Sequence, residues 1–122
     1  RWFRANEADE QGTVTCVTCG RLMMWKMPDG SCHCGHYESR GHYAVRFMPE
    51  NCGTQCKICN TYNEGKKELF GEAIAKKHGL EMKEKINALA KLPNKRLPDF
   101  QLRETGKFYQ LEFKKLVKLK GL

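Results

Sequence analysis

The sequence predicts an α+β fold, in which a small cysteine-rich domain of short strands is followed by α-helices. Two Cys-x-x-Cys pairs, Cys16/Cys19 and Cys56/Cys59, frame the first part of the chain. Short segments of strand-like composition lie between the pairs, whereas apolar residues recur at helical spacing after them. A chain of 122 residues is long enough for one such domain with a modest core and a helical appendage.

The elements predicted around the two pairs are short. Residues 1–10 form a short helix or an extended arm. Strands are expected, in chain order, at residues 13–15, 22–27, 34–37 and 43–47. A turn over residues 28–31, which contain proline and glycine, brings the strand at 34–37 back beside the strand at 22–27.

Three helices are expected after the second pair. The first starts near residue 66 and ends before Gly79, the second spans residues 81–91, and the third begins after Asp99, which caps it. Residues 92–98, bounded by two prolines, form a linker. The last helix carries one apolar stripe that consists of Leu102, Tyr109, Phe113, Leu116 and Val117. This stripe could pack on the chain's own core or form a homodimer interface.

The two cysteine pairs predict a structural zinc site. Each pair lets two thiolates reach one ion at about 2.3 Å, and four sulfurs complete a tetrahedral site with no open coordination position. The alternative is two redox-active or disulfide pairs, which the odd number of seven cysteines disfavours. The remaining cysteines are Cys32, Cys34 and Cys52. Cys32-His33-Cys34 could bind a second metal, but small, partly buried side chains are the favoured interpretation.

Charge is distributed unevenly between the two parts of the chain. The net charge is +8, and residues 1–65 contain seven Lys and Arg against seven Asp and Glu, while residues 66–122 contain fifteen against seven. We expect residues 1–65 to form the core, with its last helix continuing to about residue 78, and residues 79–122 to form a basic helical extension. Such a basic half favours a polyanion such as DNA, although a solvated helical surface is the alternative. No apolar run reaches the length of a membrane span.

Three polar residues between and beside the pairs suggest phosphodiester hydrolysis. This reaction needs a base for water and a divalent ion near the phosphate. His36 can be the base, because the ordinary histidine pKa near 6.5 leaves it able to accept a proton at neutral pH. Asn60 follows the zinc-binding Cys59 and offers an amide oxygen to Mg²⁺ or Mn²⁺. Asn51 could hold the opposing loop and orient the imidazole.

At this point the sequence resembles the bacteriophage NinG (Rap) recombination nucleases, which belong to the HNH or His-Me finger endonucleases. The order is Cys-x-x-Cys-Gly, Gly-His-Tyr-x-Ser-Arg-Gly, Arg-Phe, Asn, Gln-Cys-x-x-Cys-Asn and a downstream Gly. The matching residues are Cys16, Cys19, Gly20, Gly35, His36, Tyr37, Ser39, Arg40, Gly41, Arg46, Phe47, Asn51, Gln55, Cys56, Cys59, Asn60 and Gly65. They cover about residues 16–65, and the later helices fit the family more loosely.

The resemblance implies a treble-clef zinc domain with a ββα-metal site that acts on branched recombination intermediates, such as Holliday junctions and D-loops. It implies that His36 is the general base, Asn51 the central HNH asparagine and Asn60 the last HNH position, a metal ligand. It also implies a phage-encoded protein, and without a recognisable targeting signal the bacterial host cytoplasm is the expected compartment. Gly35 departs from the family, because many HNH sites place a metal-binding Asp or His there. Because glycine offers no side-chain ligand, there are two alternatives. Either Asn60 holds the ion almost alone, or a further ligand comes from His33, His42 or Glu64.

Two arginines complete the predicted site. A guanidinium presents a rigid fork to phosphate oxygens, so Arg40 and Arg46 could clamp the scissile phosphate, or each could be a surface residue paired with Glu38 or Glu50. Two other functions share these residues. One is a zinc-finger DNA-binding protein without catalysis, and the other is a sequence-specific homing or restriction enzyme of the HNH type.

Overall fold

The computed structural model describes residues 1–62 and 66–122 with their side chains. The chain is a mixed α+β domain with C-terminal helices, as the sequence predicts. Its first helix and strands are α1 (Trp2–Glu7), β1 (Thr13–Thr15), β2 (Leu22–Met24), β3 (Cys32–His36), α2 (Tyr43–Arg46) and β4 (Cys52–Cys56). A 3₁₀ turn, Pro49–Asn51, precedes β4. The later helices are α3 (Lys57–Thr61), α4 (Asn63–His78), α5 (Leu80–Ala90) and α6 (Asp99–Lys120).

Two small antiparallel sheets support the first half of the chain. Strand β1 pairs with β2, with Val14 opposite Met23, and β3 pairs with β4, with Gly35 opposite Gly53. The prediction that the strand at 34–37 returns beside the strand at 22–27 is therefore wrong. The residues of β2 instead form a hairpin with β1 across the first Cys-x-x-Cys pair, which leaves β3 to pair with the strand that carries Cys56.

The predicted strand at residues 43–47 is also wrong, because residues 43–46 form the single helical turn α2. Alternation of apolar and polar residues is a weak signal over five residues, and tertiary contacts override it. Val45 is fully buried in a cluster with residues of α4 and α5. The turn places Val45 in the core and leaves Tyr43 and Arg46 half-buried.

The bounds of the helices after the second cysteine pair agree closely with the sequence prediction. The predicted cap is wrong, because Asp99 is the first residue of α6, follows Pro98 at the N-cap, and makes no capping hydrogen bond. Its carboxylate instead pairs with Arg96 at 2.8 Å.

Helix α5 buries Ile86 and Ala90, as its spacing predicts, and α4 buries Phe70 and Ile74. Leu69 of α4 is 46 % exposed and lies outside this buried face. Among the described residues, no helix is long and apolar enough to cross a membrane.

The apolar residues of α6 pack back on the first half of the chain. Phe113, Leu116 and Val117 contact the cluster of buried residues that surrounds the four paired cysteines, and the Phe113 ring meets Trp25 edge-on at a centroid distance of 5.9 Å. Lys120 Nζ donates to three backbone oxygens at the end of α1, including that of Ala5 at 2.9 Å. Self-packing therefore accounts for the C-terminal part of the predicted stripe.

Candidate functional site

The four paired cysteines form one cluster at the junction of the two sheets. The sulfur atoms of Cys16, Cys19, Cys56 and Cys59 all lie within 4.8 Å of one another, and three of these residues are buried. Four thiols at this separation can bind one tetrahedral zinc ion. No other group of three or more His, Cys, Asp or Glu side chains forms such a cluster among the described residues.

Backbone geometry shapes both cysteine turns. The Gly20 amide donates to the Cys16 oxygen at 2.9 Å, and Gly20 has a φ of +78°, which glycine adopts without strain. In the second turn, Cys56 ends β4 and immediately precedes α3, which carries Cys59. The hairpin β1–β2 and the strand-to-helix junction therefore each supply two sulfurs.

The electrostatics of the cluster favour a bound cation. Burial raises the pKa of Cys16, but hydrogen bonds from the Thr18 side chain and from backbone amides lower it to about 6. The backbone amide of Arg21 lowers the pKa of Cys19, but burial and the neighbouring thiols Cys16 and Cys59 raise it to about 11. The Cys16 thiolate therefore forms readily, and its negative charge disfavours ionisation of Cys19. A divalent cation removes this conflict because it stabilises every thiolate at once.

His36, the predicted general base, ends β3. Its Nε2 atom lies 3.0 Å from the backbone oxygen of Arg46. A carbonyl oxygen can only accept a hydrogen bond, so Nε2 carries the proton in the neutral ring and Nδ1 is the basic nitrogen. Burial lowers the pKa of His36, the bond to Arg46 raises it, and the charges of Arg40 and Arg46 lower it, for a net decrease. The imidazole is therefore neutral at pH 7.

Asn60, the predicted ligand of the catalytic ion, lies in α3 next to the β3–β4 sheet. Its Nδ2 atom lies 2.8 Å from Nδ1 of His33. The amide nitrogen can only donate, so His33 is the acceptor of this bond, and the amide oxygen of Asn60 stays available to a ligand. His33 therefore contacts Asn60 and can fix the orientation of its amide. Glu64, another residue considered as a metal ligand, lies outside the described residues.

Gly35 directly precedes His36, where the resemblance to HNH nucleases predicts a metal ligand, and the structure gives a reason for the glycine. A Cβ atom there would overlap the Oε1 atom of Gln55 and lie 3.2 Å from Oδ1 of Asn60. Gln55 is fully buried, and its Nε2 donates to Thr18 Oγ1 at 3.3 Å. The side chain of Gln55 thus fills the space over Gly35 and links it to the first cysteine turn.

Asn51 is fully buried and fastens the loop that follows β3. Its Oδ1 accepts from the Glu38 amide at 2.8 Å, and its Nδ2 donates to the backbone oxygens of Glu38 at 2.9 Å and Val45 at 3.1 Å. These three bonds satisfy its side chain. Asn51 therefore positions the segment that carries the Arg46 oxygen, rather than contacting the clefts beside His36.

A polar cleft of about 490 Å³ brings several predicted residues together. His36, Asn60 and Arg40 line it, whereas Arg46 lies on the other side of His36, with its guanidinium 5.5 Å from the centre of the Phe47 ring. The cleft thus places a base, an amide oxygen and a guanidinium around one space. The dimensions suit a phosphate group and bound water.

Sequence reasoning missed two charged residues of this cleft, Glu38 and Lys67. Both line it, and Lys67 Nζ lies 2.6 Å from Glu38 Oε1. The Glu38 side chain is only 12 % exposed, so Lys67 offsets the cost of burying its charge. Neither arginine of the predicted site forms this ion pair. Only the regular helical spacing of α4 could have indicated that Lys67 faces the β3 loop.

The three remaining cysteines do not form a second metal site in the described residues. Successive residues of a strand point to opposite faces, so His33 lies on the face opposite Cys32 and Cys34. Cys32 is buried, and burial raises its pKa. Cys34 and Cys52 line a second cleft beside His36.

Together these features define a small α+β protein with a cluster of four cysteines that can hold one metal ion and a polar cleft beside it. The chain matches the family described as Bacteriophage Lambda NinG protein over residues 1–119, and it belongs to that family. No curated protein and no solved structure gives a significant match to it.

Proposed function

We propose that this protein is a metal-dependent endonuclease that hydrolyses phosphodiester bonds in branched DNA recombination intermediates, such as Holliday junctions and D-loops. The observation that carries the proposal is the orientation of His36. Its Nε2 is held by the Arg46 oxygen at 3.0 Å, which leaves the basic Nδ1 for water in a site that also contains Asn60 and Arg40. Membership of the NinG family suggests a phage protein related to recombination, which agrees with this activity.

The order of elements supports a ββα-metal site within a treble-clef zinc domain. His36 ends β3, β4 pairs antiparallel with β3, and Asn60 lies in the helix that follows β4 directly. The cysteine cluster anchors the start of that helix through Cys56 and Cys59. Zinc would therefore act as a structural ion, because four sulfurs leave it no open position.

The residues of the cleft fit a hard divalent cation. Asn60 offers a neutral amide oxygen and Glu38 a carboxylate, and both line the cleft that contains His36. Oxygen donors of this kind suit Mg²⁺ or Mn²⁺, which take their other ligands from water and substrate phosphate. The ion would stabilise negative charge on the phosphate and on the leaving 3′ oxygen.

The protein's own groups then have distinct tasks. His36 Nδ1 takes a proton from the attacking water, and the backbone oxygen of Arg46 fixes the ring that does so. Asn51 holds the loop that supplies this oxygen. Arg40, exposed at the cleft, can bind the phosphate oxygens through two parallel hydrogen bonds.

The basic C-terminal part provides a surface for the DNA arms. The lysines of α6 that are exposed are Lys107, Lys114, Lys115 and Lys118. Their attraction to phosphates is independent of sequence, as structure-selective cleavage requires. We include a homodimer in the proposal, because Leu111 and Leu119 of α6 are 59 % and 84 % exposed and could pair two copies across a two-fold symmetric junction.

The test compares the wild-type protein with His36→Ala on a labelled four-way junction and on linear duplexes of scrambled sequence, with and without Mg²⁺ or Mn²⁺. His78→Ala, an exposed histidine at the end of α4, is the matched control. We expect ion-dependent cutting of the junction that His36→Ala abolishes, with junction binding retained. Binding without cutting under any ion supports a non-catalytic zinc-finger protein, and cutting that follows one sequence supports a homing or restriction enzyme.

A further inference from the structure

A second cleft, of about 300 Å³, opens beside His36 and is lined differently from the polar one. Aromatic side chains from three separate segments form much of its wall. These are Trp2 and Phe3 of α1, Phe47 after α2, and Tyr109 of α6. The Trp2 and Tyr109 rings contact each other at a centroid distance of 5.1 Å and an interplanar angle of 52°. This volume is at the lower end of the range for small-ligand sites.

The charges around this aromatic cleft all have one sign. Three arginines line it, namely Arg1, Arg40 and Arg46. No Lys, Asp or Glu among the described residues does. Arg46 lies over one face of the Phe47 ring, 5.5 Å from its centre, so it adds a planar positive group to the aromatic wall. An anionic ligand with a flat apolar part complements this combination.

We propose that the aromatic cleft accepts an unpaired nucleobase of the DNA substrate, a proposal that rests on the nuclease function above. Aromatic faces stack on any base, which makes such a pocket tolerant of sequence, and the arginines can bind the phosphates on either side. A base inside a continuous duplex is stacked and paired and cannot enter, whereas a base at a branch point costs less to extrude.

Two clefts that share His36 give this pocket a role in choosing the cleavage site. His36 and Arg40 line both the polar cleft and the aromatic cleft. A base held in the aromatic cleft therefore places its neighbouring phosphate near the proposed general base, which lines the same cleft. Because α6 supplies Tyr109, the C-terminal helix contributes directly to the selection of branched DNA.

The test measures binding to a branched DNA with one unpaired nucleotide at the branch point, without added Mg²⁺ or Mn²⁺ so that the DNA stays intact. The nucleotide is adenine, its fluorescent analogue 2-aminopurine, or an abasic residue. We expect the wild type to bind the adenine form about tenfold more tightly than the abasic form, the effect of one base–aromatic stack. The 2-aminopurine emission should fall on binding.

Phe47→Ala and Tyr109→Ala test the two aromatic walls, and Phe100→Ala is the matched control. Phe100 is an aromatic residue of α6 that is 58 % exposed and does not line the cleft. We expect the preference for adenine to fall at least fivefold in Phe47→Ala and Tyr109→Ala and to persist in Phe100→Ala. Phe47 is itself 38 % exposed, so its variant decides the result if Tyr109→Ala fails to fold by circular dichroism.

Equal binding of adenine and abasic DNA by the wild type would overturn the proposal, and so would a preference that survives in both wall variants. Cleavage of the four-way junction tests the nuclease function separately. A base preference without cleavage retains the pocket and removes the nuclease activity. Cleavage without a base preference retains the nuclease activity and removes the pocket.

Discussion

The Nε2 atom of His36 lies 3.0 Å from the backbone oxygen of Arg46, so the last residue of β3 is held by the end of α2. The same α2 segment is fastened by Asn51, whose Nδ2 donates to the Val45 oxygen at 3.1 Å. Two backbone oxygens on adjacent residues thus bind the imidazole and the asparagine. The orientation of His36 therefore depends on correct folding of the loop between β3 and β4.

The first prediction concerns the pH dependence of cleavage. Burial and the neighbouring arginines hold the pKa of His36 below its ordinary value. Because only the neutral ring can accept a proton, the cleavage rate should be constant near pH 7 and fall as pH decreases through a midpoint below about 6.5. Single-turnover rates between pH 4.5 and 8 measure this midpoint.

Arg40→Ala provides the corresponding control for the pKa, independent of the cleavage rate. Removing this positive charge should raise the pKa of His36, which NMR titration of the imidazole can measure in the absence of DNA. A midpoint above 6.5 in the wild type, or an unchanged His36 titration in Arg40→Ala, would contradict the electrostatic account. The lowered pKa of His36 also makes stability depend on pH. The folded chain should lose stability as pH falls below about 6.5, since the unfolded state binds the proton more readily.

The second prediction separates two asparagines that fasten the same loop. Asn51→Ala leaves the backbone groups of Glu38 and Val45 unpaired in a buried site, so we expect a loss of about 2–4 kcal/mol in the free energy of unfolding. Asn94 also bridges this loop, through the Gly41 oxygen and the Tyr43 amide, but it is exposed.

Asn94→Ala is therefore the matched control, and its loss should stay below about 1 kcal/mol because water replaces the missing partner. Urea denaturation followed by circular dichroism measures both values. Equal losses in the two variants would show that burial does not determine the contribution of Asn51.

The later helices and the four-cysteine cluster could be predicted from the sequence, because both depend on local spacing. Three apolar residues per two turns define α5 without reference to the rest of the chain, and Cys-x-x-Cys brings two sulfurs together within one turn. Strand β4 could not be predicted in this way. Its sequence, Cys-Gly-Thr-Gln-Cys, is buried at four of five positions, so it shows no alternation, and its pairing with β3 supplies the stability.

The same distinction applies to the site. His36 and Asn60 flank motifs with fixed spacing, so the sequence indicated them. Glu38 and Lys67 are 29 positions apart and meet only because α4 packs beside the loop after β3. Their ion pair depends on tertiary contacts that no spacing pattern contains. The aromatic cleft has the same origin, since α1, α2 and α6 converge there.

The third prediction concerns the zinc ion proposed at the four-cysteine cluster. Cys16, Cys56 and Cys59 lie in the same buried cluster as Trp25, so loss of the metal should disrupt this core as well as the two cysteine turns. We expect the purified protein to contain one zinc per chain, and Cys19→Ser to lose zinc and its thermal transition. Metal analysis and thermal melting monitored by tryptophan fluorescence measure these effects.

Cys34→Ser is the control for the cluster, because Cys34 lies outside it and should leave the zinc content unchanged. Treatment of the wild type with a strong chelator should reproduce the melting behaviour of Cys19→Ser. A protein that contains no zinc, or that melts at the same temperature after chelation, would be inconsistent with a structural ion at the four cysteines.

The fourth prediction tests why glycine precedes the proposed base. A methyl group at Gly35 would overlap the buried Gln55 amide, so we expect Gly35→Ala to cost about 1–3 kcal/mol of stability. Gln55→Ala removes the obstructing group, and the double variant should therefore be at least about 1 kcal/mol more stable than the sum of the single losses implies. Urea denaturation of the four proteins gives this coupling energy.

Gly41→Ala controls for a general effect of adding a methyl group near the site. The nearest atom to a Cβ at Gly41 is Ser39 Oγ at 3.5 Å, an ordinary contact, so its stability should change by less than about 0.5 kcal/mol. If Gly35→Ala is as stable as Gly41→Ala, the Gln55 amide moves aside freely and does not explain the glycine. If the two losses at Gly35 and Gln55 simply add, the strain arises from another neighbour, and Asn60 Oδ1, 3.2 Å away, is then the first residue to test.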